Sequence, residues 1–183
     1  MQNLIINEGY KKDVDLFYSA QGEKIFTKNK KYIDLSMCAG SILLGHNHKI
    51  FQKSIKKFIS KKISNIAAPN INAEIFAKNI KRVVPNSEKI IFCNSGTEAV
   101  IKSLRLARAL NNKKKIAYVT GGWHGSVDQL LYKANKKLKP VKLSSGLPEE
   151  TYKNLILIPY NDFEKSEFIL KKNKNKISCL IIE

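Results

Sequence analysis

Cysteine and histidine are scarce in this 183-residue chain, which contains three of each. The cysteines are widely spaced at Cys38, Cys93 and Cys179, and they form no Cys-x-x-Cys pair. This usage is typical of a reducing compartment and argues against a disulfide framework. The histidines have no neighbouring cluster of acidic or thiol side chains, so the sequence predicts no metal site.

Long apolar runs are missing as well. No stretch approaches the ~18 uninterrupted apolar residues that a membrane-spanning helix requires, and we therefore expect no membrane partner. The segment from Met1 to Tyr10 lacks the basic region and the apolar core of a secretion signal. Together with the scarce cysteines, these features predict a cytoplasmic protein.

Arginine is also scarce, because 30 of the 33 basic residues are lysine. The net charge of +18 raises the hypothesis of a nucleic-acid-binding protein, whose signature would be salt-sensitive binding. Nucleic-acid surfaces, however, rely heavily on the bidentate guanidinium group, and here lysines are spread over nearly every predicted helix. A solvated lysine-rich surface is the simpler interpretation, so we expect no nucleic-acid partner. Such a surface would still favour acidic or phosphorylated small molecules.

The chain does contain alternating apolar and amphipathic segments. An extended pair is predicted at residues 24–27 and 32–35, and apolar strands at residues 90–93, 116–120, 155–158 and 177–182. Three helices are predicted: one at about 48–62, capped by Asn47, one from Asn72, its cap, to Pro85, and one at 98–110. The inward face of the second helix would consist of Ile75, Phe76, Ile80 and Val83. Residues 138–150, with two prolines, are predicted to form a loop. Continuously apolar strands alternating with helices indicate an α/β fold with a mostly parallel sheet.

The stretch Asn94-Ser95-Gly96-Thr97-Glu98-Ala99 joins one predicted strand to a helix. The first backbone N–H groups of a helix are free and carry the positive end of its dipole, so they can hold a phosphate. Gly96 would allow a close approach, and the hydroxyls of Ser95 and Thr97 could donate to phosphate oxygens. An ordinary helix cap is the alternative, in which Asn94 or Ser95 only satisfies the helix.

The second strand end is followed by Gly121-Gly122-Trp123-His124-Gly125. Ligands bind at the carboxyl ends of such strands, and an indole held between glycines there could stack on a flat ring. The alternatives are that Trp123 packs under the 138–150 loop and that His124 is a structural loop residue. A phosphate site and an aromatic surface at neighbouring strand ends together suit a flat, phosphorylated, aromatic ligand.

Further motifs occur in a recognisable order. They are Lys31-Tyr32-Ile33-Asp34, Leu43-Leu44-Gly45-His46, Ala68-Pro69, Asn94 to Ala99, Leu104 to Arg108, Trp123-His124-Gly125, Gly146-Leu147-Pro148, Pro159-Tyr160-Asn161-Asp162 and Ile181-Ile182-Glu183. From about Gly22 to Glu183 the chain resembles the class III, pyridoxal-phosphate-dependent aminotransferases, most strongly their semialdehyde aminomutase branch.

The resemblance implies a set of cofactor-binding residues. Ser95, Gly96 and Thr97 would bind the phosphate of pyridoxal 5′-phosphate, and Trp123 would stand where the family has an aromatic residue, often Tyr, on the pyridine ring. His124 follows that aromatic residue as in the family. Glu183 matches a glutamate that ends a central strand just below the cofactor.

The resemblance also implies the architecture and the partners. We expect a type I aminotransferase-like fold, with a mostly parallel central sheet flanked by helices and interrupted after a central strand. Residues 1–65 would form an N-terminal segment and residues 66–183 an incomplete cofactor-binding large domain. The family is dimeric and acts on small-molecule amino donors and acceptors, so we expect a homodimer for the full-length protein.

Several departures from the family pattern qualify this expectation. The family's Schiff-base lysine and the aspartate that pairs with the pyridine nitrogen lie beyond the strand ending at Glu183. We therefore expect no catalytic residue in this chain, which would be an N-terminal fragment that is inactive alone, or a non-catalytic binder of a phosphate ligand. Ala39 stands where these aminomutases tend to have Trp, and Asn70-Ile71 stands in place of Thr-Glu, so the amino acceptor is open.

Overall fold

The computed structural model describes residues 15–61, 68 and 70–183. The chain divides into two compact units, Met1–Phe76 and Ala77–Glu183. The predicted domain boundary, between residues 65 and 66, lies outside the described residues and stays a prediction.

The first unit contains an antiparallel sheet of three short strands: β1 (Phe17–Gln21), β2 (Lys24–Thr27) and β3 (Lys31–Ile33). β2 lies in the middle, and each connection is a tight turn. The aromatic and β-branched residues of these segments favour extended backbone. β2 has its predicted bounds, and β3 is shorter than predicted. β1 is an additional strand that the sequence analysis missed.

A single carboxylate closes the loop that follows β3. Asp34 Oδ1 accepts hydrogen bonds from the backbone N–H of Ser36 at 2.9 Å and of Met37 at 3.0 Å. Its Oδ2 lies 2.8 Å from His46 Nε2, at the other end of the loop. Residues 37–39 between them have φ of 43°, 56° and 56°, a left-handed run that costs about 1–2 kcal/mol per residue. Asp34 therefore anchors both ends of a strained loop.

Helix α1 (Lys49–Ser60) occurs where the sequence predicts it, but a different residue begins it. The predicted cap, Asn47, is wrong, because that residue has a left-handed φ of 57° and precedes the cap position. The His48 ring accepts instead, from the backbone N–H of Ile50 at 3.3 Å. A histidine acceptor is uncommon at this position, which explains why the preference for Asn misled the prediction.

Helix α2 (Ile71–Val83) is also present. Asn70 begins it, and not Asn72, because Asn70 Oδ1 accepts from the backbone N–H of residues 72 and 73 at 3.1 and 3.0 Å. The predicted inward face of α2 is wrong in the described structure. No residue of α2 is buried, and Ile75 and Val83 are 51% and 78% exposed. Amphipathic spacing identifies an apolar face but not what covers it.

The second unit combines helices and strands. In chain order these are α3 (Gly96–Asn111), β4 (Lys115–Val119), β5 (Tyr132–Ala134), β6 (Pro140–Lys142), β7 (Leu155–Ile158), α4 (Phe163–Asn173) and β8 (Ile177–Ile181). Three of the strands form a parallel sheet in the order β7–β4–β8. Ile116 of β4 lies opposite Leu155 on one side and Cys179 on the other. The predicted α/β class with a parallel sheet is thereby confirmed.

The hydrophobic core lies around the central strand of this sheet. Ile116, Ala117 and Tyr118 of β4 are at most 1% exposed, as expected for a strand covered on both faces. The buried cluster adds side chains from α3, β7 and the segment after β4: Leu104, Val127, Leu130 and Leu157. A core centred on β4 holds the carboxyl end of that strand, and the glycine-rich segment after it, in a defined position.

Two predictions of secondary structure are wrong. Residues 90–93 are not a strand, because no strand in the described part of the chain pairs with them and a strand exists only through its ladder of hydrogen bonds. The predicted loop at 138–150 contains β6, which pairs antiparallel with β5, and the start of a 3₁₀ helix over Glu149–Asn154. Pro140 is tolerated because it is the first residue of its strand.

Candidate functional site

The amino end of α3 is built by Ser95 and Glu98. Ser95 is the helix cap, and its Oγ accepts a hydrogen bond from the backbone N–H of Glu98 at 3.2 Å. In return, Glu98 Oε2 accepts from the backbone N–H of Asn94 at 3.0 Å. The pair thus resembles a capping box, in which cap and third helical residue stabilise each other. Ser95 therefore caps the helix, and its binding of a phosphate stays a prediction.

The same helix end keeps donors available. Among the described residues, the backbone N–H groups of Gly96 and Thr97 have no hydrogen-bond partner. A Cβ added at Gly96 would meet nothing within 4 Å, so the space beside this residue is open. The Ser95 hydroxyl uses its oxygen for Glu98 and retains a hydrogen that it can donate. A helix end with free donors, positive dipole and open space can hold an anion.

The glycine-rich segment after β4 folds back onto this helix end. Ser126 donates its backbone N–H to Thr97 Oγ1 at 3.1 Å. Gly125 has a left-handed φ of 76°, and a Cβ there would collide with Thr97 Oγ1 and lie 3.0 Å from Thr97 Cα. Only glycine accommodates both the backbone conformation and the close approach. The two motifs that the sequence singled out therefore meet at Thr97.

Trp123 stands at the end of β4 with its side chain 60% exposed. Because of this exposure, the alternative that Trp123 packs beneath residues 138–150 is wrong. The backbone N–H of Trp123 donates to Glu183 Oε2 at 2.7 Å. The short distance fits a charge-assisted hydrogen bond, which is stronger than one between neutral groups. The end of β4 is thereby connected to the residue two positions beyond β8.

His124 follows Trp123 in the chain and is partly buried. Its ring makes an edge-to-face contact with Tyr118, with centroids 5.5 Å apart. The Tyr118 hydroxyl donates to the backbone carbonyl of Gly122 at 3.0 Å. Burial lowers the pKa of His124, and the nearby Glu183 carboxylate opposes that shift. Its buried Nε2 has no hydrogen-bond partner among the described residues.

A cleft of about 450 Å³ lies along the carboxyl ends of the parallel strands. Its lining residues are Val119, Thr120, Gly121, Gly122, Tyr160, Ile182 and Glu183. The position agrees with the rule that ligands bind at this edge of an open α/β sheet. In the part of the chain that the structure describes, no group of three or more His, Cys, Asp or Glu side chains could hold a metal ion.

Two hydrogen bonds connect parts of the predicted site. Thr97 contacts the segment that holds Trp123 and His124, and Trp123 is bonded to Glu183. Within the described residues, Ser95 and Gly96 lie beside Thr97 in sequence but have no hydrogen bond to that segment. The binding roles of all six stay a prediction.

Sequence reasoning missed Tyr118 and Ser126. Tyr118 lies inside a continuously apolar strand, where a hydroxyl-bearing residue is a weak signal of a buried polar contact. Ser126 contributes only its backbone N–H, which no residue type identifies in a sequence.

Comparison with known proteins gives one family and a consistent fold. The model of the family described as "Aminotransferase class-III" matches residues 9–183. Glutamate-1-semialdehyde 2,1-aminomutases are similar in sequence: that of Methanosphaera stadtmanae is 35% identical over 167 residues, and that of Wigglesworthia glossinidia brevipalpis is 37% identical over 171. Each alignment covers 90% of this chain, which spans 39% of the length of either relative.

Solved structures show the same fold. A structure described as a transaminase with PLP bound has a TM-score of 0.83 at 24% identity, and covers 97% of this chain and 41% of its own. The glutamate-1-semialdehyde aminomutase from Pseudomonas aeruginosa PAO1 has a TM-score of 0.76 at 19% identity, and covers 94% of this chain and 38% of its own. At these identities the likeness establishes the architecture alone.

Proposed function

Because this chain belongs to the class III aminotransferase family, we propose that it is the cofactor-phosphate-binding part of a pyridoxal-phosphate-dependent enzyme. The full-length protein would move an amino group, as an aminomutase of the glutamate-1-semialdehyde type. The observation that carries the proposal is the meeting of the α3 amino end and the Trp123 segment at Thr97. Its substrates would be small-molecule amino donors and acceptors, and its location cytoplasmic.

The residues present fit the cofactor. Pyridoxal phosphate has a dianionic phosphate and a flat aromatic ring, and the site offers free helix donors for the first and an exposed indole for the second. The open space at Gly96 and the unpartnered Nε2 of His124 are further features that a ligand would satisfy. When bound, the cofactor supplies an electron sink for amino-group chemistry.

Each residue then has a defined task. The backbone N–H groups of Gly96 and Thr97, with the hydroxyls of Ser95 and Thr97, would bind and orient the phosphate. The indole of Trp123 would cover one face of the ring and exclude water from it. His124, which burial keeps neutral more readily, can offer Nε2 as a donor or an acceptor according to its tautomer.

We infer that none of the 30 lysines is the family's cofactor-bearing lysine, and that the aspartate partner of the ring nitrogen is also outside these 183 residues. The chain would then bind the cofactor without turnover. The homodimer typical of the family is proposed for the full-length protein. The amino acceptor is open, since Ala39 and Asn70-Ile71 differ from the aminomutase pattern, so an aminotransferase acting on another aldehyde or keto substrate is the alternative.

Binding of pyridoxine 5′-phosphate tests the proposal. This analogue lacks the aldehyde and does not react with the surface lysines, so quenching of Trp123 fluorescence reports binding at the site alone. Thr97→Val removes one hydroxyl donor and also the acceptor of the Ser126 N–H. We expect the affinity to fall by about 10- to 100-fold, at least the value of one hydrogen bond to a charged group. Thr97→Ser restores the hydroxyl and should bind within about three-fold of the wild type.

A matched control is available on the same helix. Ser103 lies about two turns into α3 and donates its hydroxyl to the carbonyl of Ala99 at 2.8 Å. Ser103→Ala should therefore leave the affinity unchanged. Thr97→Val binding as tightly as the wild type would exclude the proposed phosphate site. Equal affinity for inorganic phosphate and pyridoxine 5′-phosphate would favour the alternative of a general phosphate-ligand binder, since the ring would then contribute nothing.

A further inference from the structure

Glu183 and His124 both lie close to the position that a Cβ on Gly122 would occupy. A Cβ added at Gly122 would lie 3.0 Å from His124 Nε2 and 3.5 Å from both Cβ and Oε2 of Glu183. The Glu183 carboxylate also bonds to the next residue, because its Oε2 accepts a hydrogen bond from the backbone N–H of Trp123 at 2.7 Å. Glu183 is therefore packed against the backbone of the segment that presents the indole.

The segment that carries Trp123 has little conformational preference of its own. Gly121 and Gly125 have φ of 99° and 76°, and glycine has more backbone freedom to lose on folding than any other residue. Contacts with distant residues must therefore hold the segment in place. Tyr118 anchors the carbonyl of Gly122 before the indole, and Thr97 anchors Ser126 after it.

Only Glu183 bonds to Trp123 itself among the described residues. We propose that Glu183 is a positioning residue: its carboxylate fixes the Trp123 peptide, and with it the angle of the indole at the strand end, without touching the cofactor. This inference rests on the proposed function, in which the indole covers the cofactor ring. It replaces a direct cofactor-binding role for Glu183 with an indirect one through a backbone N–H.

Two variants separate the hydrogen bond from the charge. Glu183→Gln keeps an oxygen that accepts from Trp123, whereas Glu183→Ala removes the acceptor. Trp123 is the sole tryptophan, so fluorescence anisotropy reports the mobility of this one indole. In the ligand-free chain, we expect Glu183→Ala to lower the anisotropy of Trp123 and Glu183→Gln to leave it close to the wild-type value. Glu150→Ala removes an exposed carboxylate ahead of β7 and serves as the control.

Ligand binding then distinguishes positioning from a merely structural role. Glu183→Ala should weaken pyridoxine 5′-phosphate binding by about ten-fold, because the ring loses its aligned indole. It should leave the affinity for inorganic phosphate unchanged, since phosphate needs only the α3 amino end. Glu183→Gln should bind both probes within about three-fold of the wild type.

Three outcomes would overturn the inference. Glu183→Ala could leave both the anisotropy of Trp123 and the affinity for pyridoxine 5′-phosphate unchanged, or it could lower the affinity for pyridoxine 5′-phosphate and for inorganic phosphate equally. In the third outcome, Glu183→Gln would behave like Glu183→Ala. An equal loss would mean that Glu183 supports the whole unit. If the wild type binds neither probe, the proposed function fails, and the anisotropy of the ligand-free variants still decides whether Glu183 holds Trp123.

Discussion

At the scale of the residue, one side chain often serves two purposes. Ser95 was open to two interpretations, a helix cap or a phosphate ligand, and the structure shows the cap. The two are compatible, because the hydroxyl oxygen accepts from Glu98 while its hydrogen stays available. Asp34 is a second case, since one carboxylate contacts both ends of the loop after β3.

Acid should weaken the contribution of Asp34 to the free energy of unfolding. Hydrogen bonds, first from His46 and then from Ser36, lower its pKa from 3.8 to about 2. A carboxyl with a depressed folded-state pKa stabilises the fold above about pH 4, and the effect is lost as the pH falls toward 2. We expect Asp34→Asn to be less stable than the wild type at neutral pH, with the difference disappearing near pH 2.

Denaturant unfolding at a series of pH values would measure this. Asp128→Asn, at an exposed aspartate in the second unit, is the control for removal of one charge. Its difference in free energy of unfolding from the wild type should not show the pH dependence expected for Asp34→Asn. A stability difference for Asp34→Asn that is constant from neutral pH to pH 2 would contradict the assignment.

At the scale of the element, the Ser95 cap stabilises the first turn of α3, which carries the free backbone N–H groups of Gly96 and Thr97. Ser95→Ala should destabilise the second unit by about 0.5–2 kcal/mol, because the N–H of Glu98 loses its acceptor, whereas Ser95→Gly should cost only a few tenths. Urea unfolding in phosphate-free buffer, followed by circular dichroism, measures both variants. Equal stability of Ser95→Ala and the wild type would show that the capping bond contributes nothing.

Several elements with local signals were predicted, although α4 was not. The apolar runs of β4, β7 and β8 and the helix of α3 were found because a few contiguous residues encode them. Residues 90–93 carry the same kind of apolar signal but form no strand among the described residues, because a strand also needs a neighbour. The caps of α1 and α2 were assigned to the wrong residues for a related reason: side-chain preference ranks candidates but does not determine backbone angles.

At the scale of the whole molecule, two properties oppose each other. Large apolar side chains are exposed in both units, among them Leu43 at 89%, Leu110 at 78% and Phe163 at 81%, which favours self-association. The net charge of +18 keeps chains apart by repulsion. Salt screens that repulsion, as the Debye length falls from about 30 Å at 0.01 M to about 8 Å at 0.15 M.

Self-association should therefore increase with salt. Sedimentation velocity at the two ionic strengths is expected to show a larger apparent mass at the higher one. An apparent mass that does not change, or that falls as salt rises, would contradict this balance. The same titration with added nucleic acid tests that alternative separately, since nucleic-acid binding by lysines would weaken as salt rises.

By itself the sequence determined the α/β class and the membership of the aminotransferase family, and it located the turn that begins α3, because each depends on contiguous residues or on motifs in linear order. Only the tertiary structure decided how the site is assembled. Thr97 meets Ser126 across 29 residues and Trp123 meets Glu183 across 60. Both contacts use a backbone N–H, which every non-proline residue possesses, so no residue type in the sequence could reveal them. Packing around β4 brings them together.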